Sequence, residues 1–86
     1  MSKHEKLVRR FLSKPADFSY SELSTLLGGF GYEEIATGRT AGSRVAFLNR
    51  QTLHVLRLHR PHPSNLLKRY QLDLVEDELR NQGAIP

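Results

Sequence analysis

The chain has no cysteine and no tryptophan. Without cysteine no disulfide can staple the fold, which suits a reducing compartment and points to a cytoplasmic protein. No apolar run approaches the length that spans a bilayer. The opening MSKHEKLVRRFL is too charged to supply the apolar stretch of a secretory signal. Carboxylates are missing from one region: between Glu34 and Asp73 there is not a single Asp or Glu. The same region holds seven cations, namely Arg39, Arg44, Arg50, Arg57, Arg60, Lys68 and Arg69, and three of the four histidines. The net charge is only +4, so its concentration in one stretch matters more than its sum. Such segregation gives one positive face that attracts polyanions. It also counts against a plain interaction protein whose charge serves solubility alone. There is no P-loop, no internal repeat, no low-complexity segment and no cysteine nucleophile.

At 86 residues the chain is one small domain, with a modest core that gains from a partner. Leu7, Val8, Phe11 and Leu12 form one apolar stripe on a short first helix over Lys3–Ser13. Pro15 disfavours helix at Lys14 and ends it. Ser19 and Glu22 form a capping box. Leu23, Leu26, Leu27 and Phe30 follow at helical spacing, and Gly28, Gly29 and Gly31 close this second helix.

YEEIAT, RVAFLN and TLHVLRLH read as three strands. In the second, Val45 and Phe47 share one face while Arg44, Ala46 and Leu48 share the other. In the third, Leu56 and Leu58 facing the core put Arg57 and His59 on the opposite side. Such closely spaced strands predict an antiparallel meander, with "RQ" as the short connection between the last two. RPHPSN cannot be regular structure. Ser64 or Asn65 then caps a last helix running from about Leu66 to Gln82, with Gly83 as C-cap. Its apolar arc of Leu66, Leu67, Tyr70, Leu72, Leu74, Val75 and Leu79 is wider than one sheet contact needs. The excess is expected to pack on the first helix or on another chain.

The predicted class is α+β. Two helices lie on one face of a three-stranded antiparallel sheet, in the α-β-β-β-α order of the double-stranded-RNA-binding domain. Residues 1–18 form an extra N-terminal helix and linker, residues 19–86 the main unit, and the whole is a single compact domain. The open face of the sheet receives the basic residues of the strands.

Two stretches carry candidate chemistry. In GRTAGSR, Gly38 and Gly42 let backbone amides approach a ligand, Ser43 offers a hydroxyl, and Arg44 a fork suited to phosphate. The same letters also read as an ordinary turn with two surface arginines. In HRPHP, His59 and His62 stand three apart on a proline-flanked segment. Paired imidazoles can act as base and acid in RNA cleavage, while Arg44 or Arg57 holds the charge that builds on phosphate. They also read as solvated loop histidines. No carboxylate or thiolate accompanies them as metal ligands, and no cofactor is expected. His4 and His54 read as surface or edge residues, and Glu76–Glu78 as a solvated helix face. The second helix, Tyr20–Leu27, carries no Arg or Asn, which disfavours a DNA-reading helix.

From about Ser19 to Ile85 the chain resembles the HicA toxin family of bacterial type II toxin–antitoxin systems. The resemblance rests on SYSELSTLLGGFGY, GRTAGSR and PHPSNLLKRYQLDLV, in that order. It implies a double-stranded-RNA-binding-like fold, metal-independent cleavage of mRNA, and a cognate HicB antitoxin over the active surface. The family's catalytic histidine closes a Gly-Ser-His motif, and Arg44 stands at that position here. Arginine stays protonated at neutral pH and cannot serve as a general base. Two readings remain. Either Arg44 clamps phosphate while His59 or His62 moves protons, or cleavage is lost and an RNA-binding surface persists. Either way, Arg39, Ser43, Arg57, Arg60, Lys68 and Arg69 are expected to contact RNA, chiefly its phosphates.

Overall fold

The computed structural model describes residues 2–35 and 44–86. The order is α1 (Lys3–Leu12), α2 (Tyr20–Gly29), β1 (Tyr32–Ile35), β2 (Arg44–Asn49), β3 (Val55–His59) and α3 (Arg69–Asn81). The α+β class and element order expected from the sequence are realised. The strands form a meander in the order β1-β2-β3, antiparallel throughout.

Alternation decides which face is covered. Val45, Phe47, Leu56, Leu58 and Tyr32 point to one side and are buried there with Leu23, Leu26 and Leu27 of α2 and Leu72, Val75 and Leu79 of α3. Full burial of each such side chain stabilises the fold by about 1.5–3 kcal/mol. α1 lies against α2, and its Phe11 joins Phe18 in the same core. No described helix is long and apolar enough to cross a membrane.

The helix ends follow local chemistry. Ser19 accepts from the Glu22 amide, and the Glu22 carboxylate accepts from the Ser19 amide. After α1, Lys14 takes φ +54° just ahead of Pro15, the conformation that stops a helix. Gly31, at φ +93°, turns the chain from α2 into β1.

Two boundaries and one packing expectation differ from the sequence reading. α3 begins at Arg69 with Lys68 as its N-cap, not near Leu66, and neither Ser64 nor Asn65 caps it. The residues just before it stay out of the helix because their backbone bonds go elsewhere, Leu66 forming an antiparallel bridge with Ser19. The Leu67 amide donates to Phe18 O at 2.8 Å, and the Tyr20 amide donates to Asn65 O at 2.9 Å. Leu67 is thereby anchored in the core. The β2–β3 connection is longer than "RQ". Asn49 Oδ1 accepts from the amides of Gln51 and Thr52, and Leu53 adopts φ +63°, so pairing resumes only near Val55. Finally, the wide apolar arc of α3 is not covered: Leu66, Tyr70 and Leu74 remain exposed.

Candidate nucleic-acid interface

β2 begins where β3 ends. In the antiparallel register Arg44 stands directly opposite His59, and Ala46 opposite Arg57. Directly opposed residues share a face, and the two-residue period puts both pairs on the same one. That is the sheet face turned away from α2 and α3. Arg44, Arg57 and His59 are all exposed. β1 adds Glu33 and Ile35 to the same face, opposite Leu48 and Ala46. Glu33, the carboxylate there, is paired with Arg50. The His59 imidazole therefore stands across from one guanidinium, Arg44, and two residues along its own strand from another, Arg57. This arrangement can hold a phosphate and exchange a proton with a group bound to it.

The other candidate residues lie elsewhere. His62 lines a groove of about 660 Å³ with Lys14, Pro15, Pro61, Leu66, Lys68 and Arg69, to which neither Arg44 nor His59 contributes. The register thus sets Arg44 opposite His59, while His62 lines the groove beside Lys14. Arg60 is engaged at the edge of the core. Its guanidinium sits 4.8 Å from the centre of the Tyr20 ring and donates to Glu34 at 3.3 Å. The Tyr20 hydroxyl donates to the same carboxylate at 2.6 Å. Burial first, and then this bond, push the Tyr20 phenol up to about 12. Arg69 donates to Asp73 at 3.5 Å. Among the described residues Arg57 and Lys68 make no ion pair. Arg39 and Ser43, with most of the Gly38–Arg44 corner, lie outside the described residues.

No protein-family model matches this chain. No curated protein and no solved structure matches it at a significant level either.

Several residues without a visible sequence signal hold this surface in place. Gln71 is 4 % exposed. Its Nε2 donates to the His59 carbonyl at 2.8 Å, and its Oε1 accepts from the Lys68 amide at 3.1 Å. One buried amide thus bolts the first turn of α3 to the end of β3. Lys14 bridges to Asp73 and Glu76. These contacts hold the Asp73 and Glu76 carboxyls below their usual range and raise the Lys14 ammonium.

At the opposite end of the sheet, Tyr32 Oη lies 2.7 Å from His54 Nδ1, and His54 Nε2 lies 3.0 Å from Glu78 Oε2. A neutral imidazole satisfies both if the phenol donates to Nδ1 and Nε2–H donates to the carboxylate. His54 is therefore a half-buried connector, and Glu76 and Glu78 are partnered rather than merely solvated. His4 is likewise half-buried. Its Nε2 donates to Leu26 O at 3.3 Å, and its ring meets Phe30 edge-on at 4.7 Å. The partners in these contacts are 22 to 26 residues apart, so no local pattern marks them. Among the described residues no three His, Asp or Glu side chains gather to hold a metal ion.

Proposed function

We propose that this chain is a HicA-like RNA-binding endoribonuclease of the cytoplasm, silenced by a HicB-type antitoxin. The observation that carries the reading is the cross-strand pair of Arg44 and His59 on the sheet face turned away from the described helices α2 and α3. The residue expected to replace the family's histidine at the start of β2 thus has an imidazole directly opposite it. In this reading Arg44 binds the scissile phosphate and His59 removes the proton from the adjacent 2′-OH. The 2′ oxygen then attacks phosphorus. The bond from phosphorus to the 5′ oxygen breaks, and the imidazolium or a water molecule protonates the departing oxygen. The products are a 2′,3′-cyclic phosphate and a 5′-hydroxyl end. Arg57, two residues back along β3, holds a neighbouring phosphate and stabilises the charge that builds during attack.

Arg44 also favours the second reading, a non-catalytic RNA-binding module, because its guanidinium cannot replace a lost base. One experiment separates the two. Single-stranded RNA is incubated with the purified chain in EDTA, beside His59→Ala, His62→Ala and Arg44→Ala. Cleavage that disappears in His59→Ala and Arg44→Ala but persists in His62→Ala supports the enzyme. Salt-sensitive retention of uncleaved RNA supports the binding module. Absence of both cleavage and retention overturns the RNA assignment.

A further inference from the structure

Tyr70 is 63 % exposed, the most open aromatic ring among the described residues. Among those residues it makes no hydrogen bond and no ring contact. Leu66 stands four residues before it and Leu74 four residues after, each 41 % exposed. Leu66 lies on the bridged segment that precedes α3, and Tyr70 and Leu74 form an uncovered stripe on the helix. Its surroundings change sign along the helix. Upstream are His62, Lys68 and Arg69, at the end of a region with no carboxylate. Asp73, the first carboxylate after that region, is already bridged to Lys14 and Arg69. Asp77, further along the same face, is exposed. Tyr70 thus sits at the cationic end of the stripe, next in sequence to Gln71, the residue that ties this turn to the His59 carbonyl.

Resting on the RNA reading above, we infer that Tyr70 is a stacking platform for an unpaired base, with Lys68 holding the adjoining phosphate. The charge change selects nucleic acid over an acidic or purely apolar partner. A flat exposed ring beside cations suits a base whose face is free. Bases inside a duplex are stacked on one another and cannot use it, so the preferred substrate class is single-stranded RNA. The strand spans two positions at one end of the molecule, the Arg44–His59 pair and the first turn of α3.

The test uses the full chain and fluorescence anisotropy with labelled oligouridylate and with an RNA duplex of equal length. Tyr70→Ala is expected to weaken oligouridylate binding by about 5- to 150-fold, the range for loss of one stacked base. The salt slope and duplex binding stay unchanged. Tyr70→Phe keeps the ring face and retains affinity. Lys68→Ala lowers the salt slope for the single strand. If the wild-type chain binds RNA and Tyr70→Ala binds equally well, the stacking subsite is refuted while the RNA reading stands. The subsite is also refuted if Tyr70→Ala alters only self-association. If the wild-type chain retains no RNA at all, the broader reading fails first. Because the side chain is exposed, the variant's thermal unfolding should match wild type, which separates loss of stacking from loss of fold.

Discussion

Gly28 and Gly29, adjacent at the end of α2, are expected to respond in opposite directions to alanine. A Cβ added at Gly28 meets nothing within 4 Å. Alanine there keeps the helical gain over glycine, up to about 1 kcal/mol, and raises the melting temperature by about 4–8 °C per kcal/mol for a domain of this size. A Cβ added at Gly29 would lie 2.1 Å from His4 Cδ2 and 2.3 Å from His4 Nε2. The imidazole must leave. It then gives up its bond to Leu26 O, worth about 1 kcal/mol, and its edge contact with Phe30, worth about 0.5–1.5 kcal/mol. The displacement also loosens α1, whose Phe11 is only 1 % exposed. Against the same helical gain, Gly29→Ala should be net destabilising by about 1–2 kcal/mol. The double variant His4→Ala/Gly29→Ala removes the clash and should lose less than the two single losses combined. Urea unfolding followed by circular dichroism measures wild type, Gly28→Ala, Gly29→Ala, His4→Ala and the double variant. Equal midpoints for Gly28→Ala and Gly29→Ala, or strict additivity in the double variant, would refute the close approach of α1 to α2.

Three further outcomes are expected. The depressed Asp73 and Glu76 carboxyls contribute stability that is present above their ordinary range and is lost as pH falls through their folded values. Lys14→Met should therefore flatten the acid limb of a stability–pH profile below about pH 4.5, and an unchanged limb would show that the bridge to α3 does not form. The raised Tyr20 phenol, at about 12, contributes stability that is full below the ordinary phenol range and is lost as pH rises toward that value; burial and the nearby Glu78 raise Tyr32 as well, so an ultraviolet titration should show two tyrosines ionising late, and Tyr20→Phe should remove one of the two. Arg57→Ala should lower the salt slope of single-stranded RNA binding by about 0.7 without affecting stability. Arg60→Ala should instead cost roughly 0.5–2 kcal/mol of stability, from the lost Tyr20 and Glu34 contacts, and a reversed pattern would place Arg60 on the RNA and Arg57 in the structure.

The candidate site was half legible in the sequence. Period-two alternation in RVAFLN and VLRLH sufficed to put Arg44, Arg57 and His59 on one face, because a strand's side chains must alternate. Nothing local showed that Arg44 and His59 would stand directly opposite each other, since that depends on where the β2–β3 turn closes. Asn49 closes it by accepting two amides of the turn, and Leu53 completes it at positive φ. The PHP segment suggested a rigid relation between His59 and His62. Nothing local showed that residues 65–67 would pair with 18–20, or that His62 would line the groove beside Lys14.

The sequence by itself determined the element order, the buried faces of β2, β3 and α2, the cap at Ser19, and the concentration of positive charge. Each follows from local periodicity or backbone preference and needs no distant partner. Tertiary structure alone decided which cations remain available and which are engaged, as Arg60 and Lys14 are. It also decided that Gln71 ties α3 to the His59 strand end, and that His4 and His54 become half-buried connectors. Those outcomes depend on contacts between residues far apart in the chain. Local propensity carries no information about such contacts until the core has set the distances.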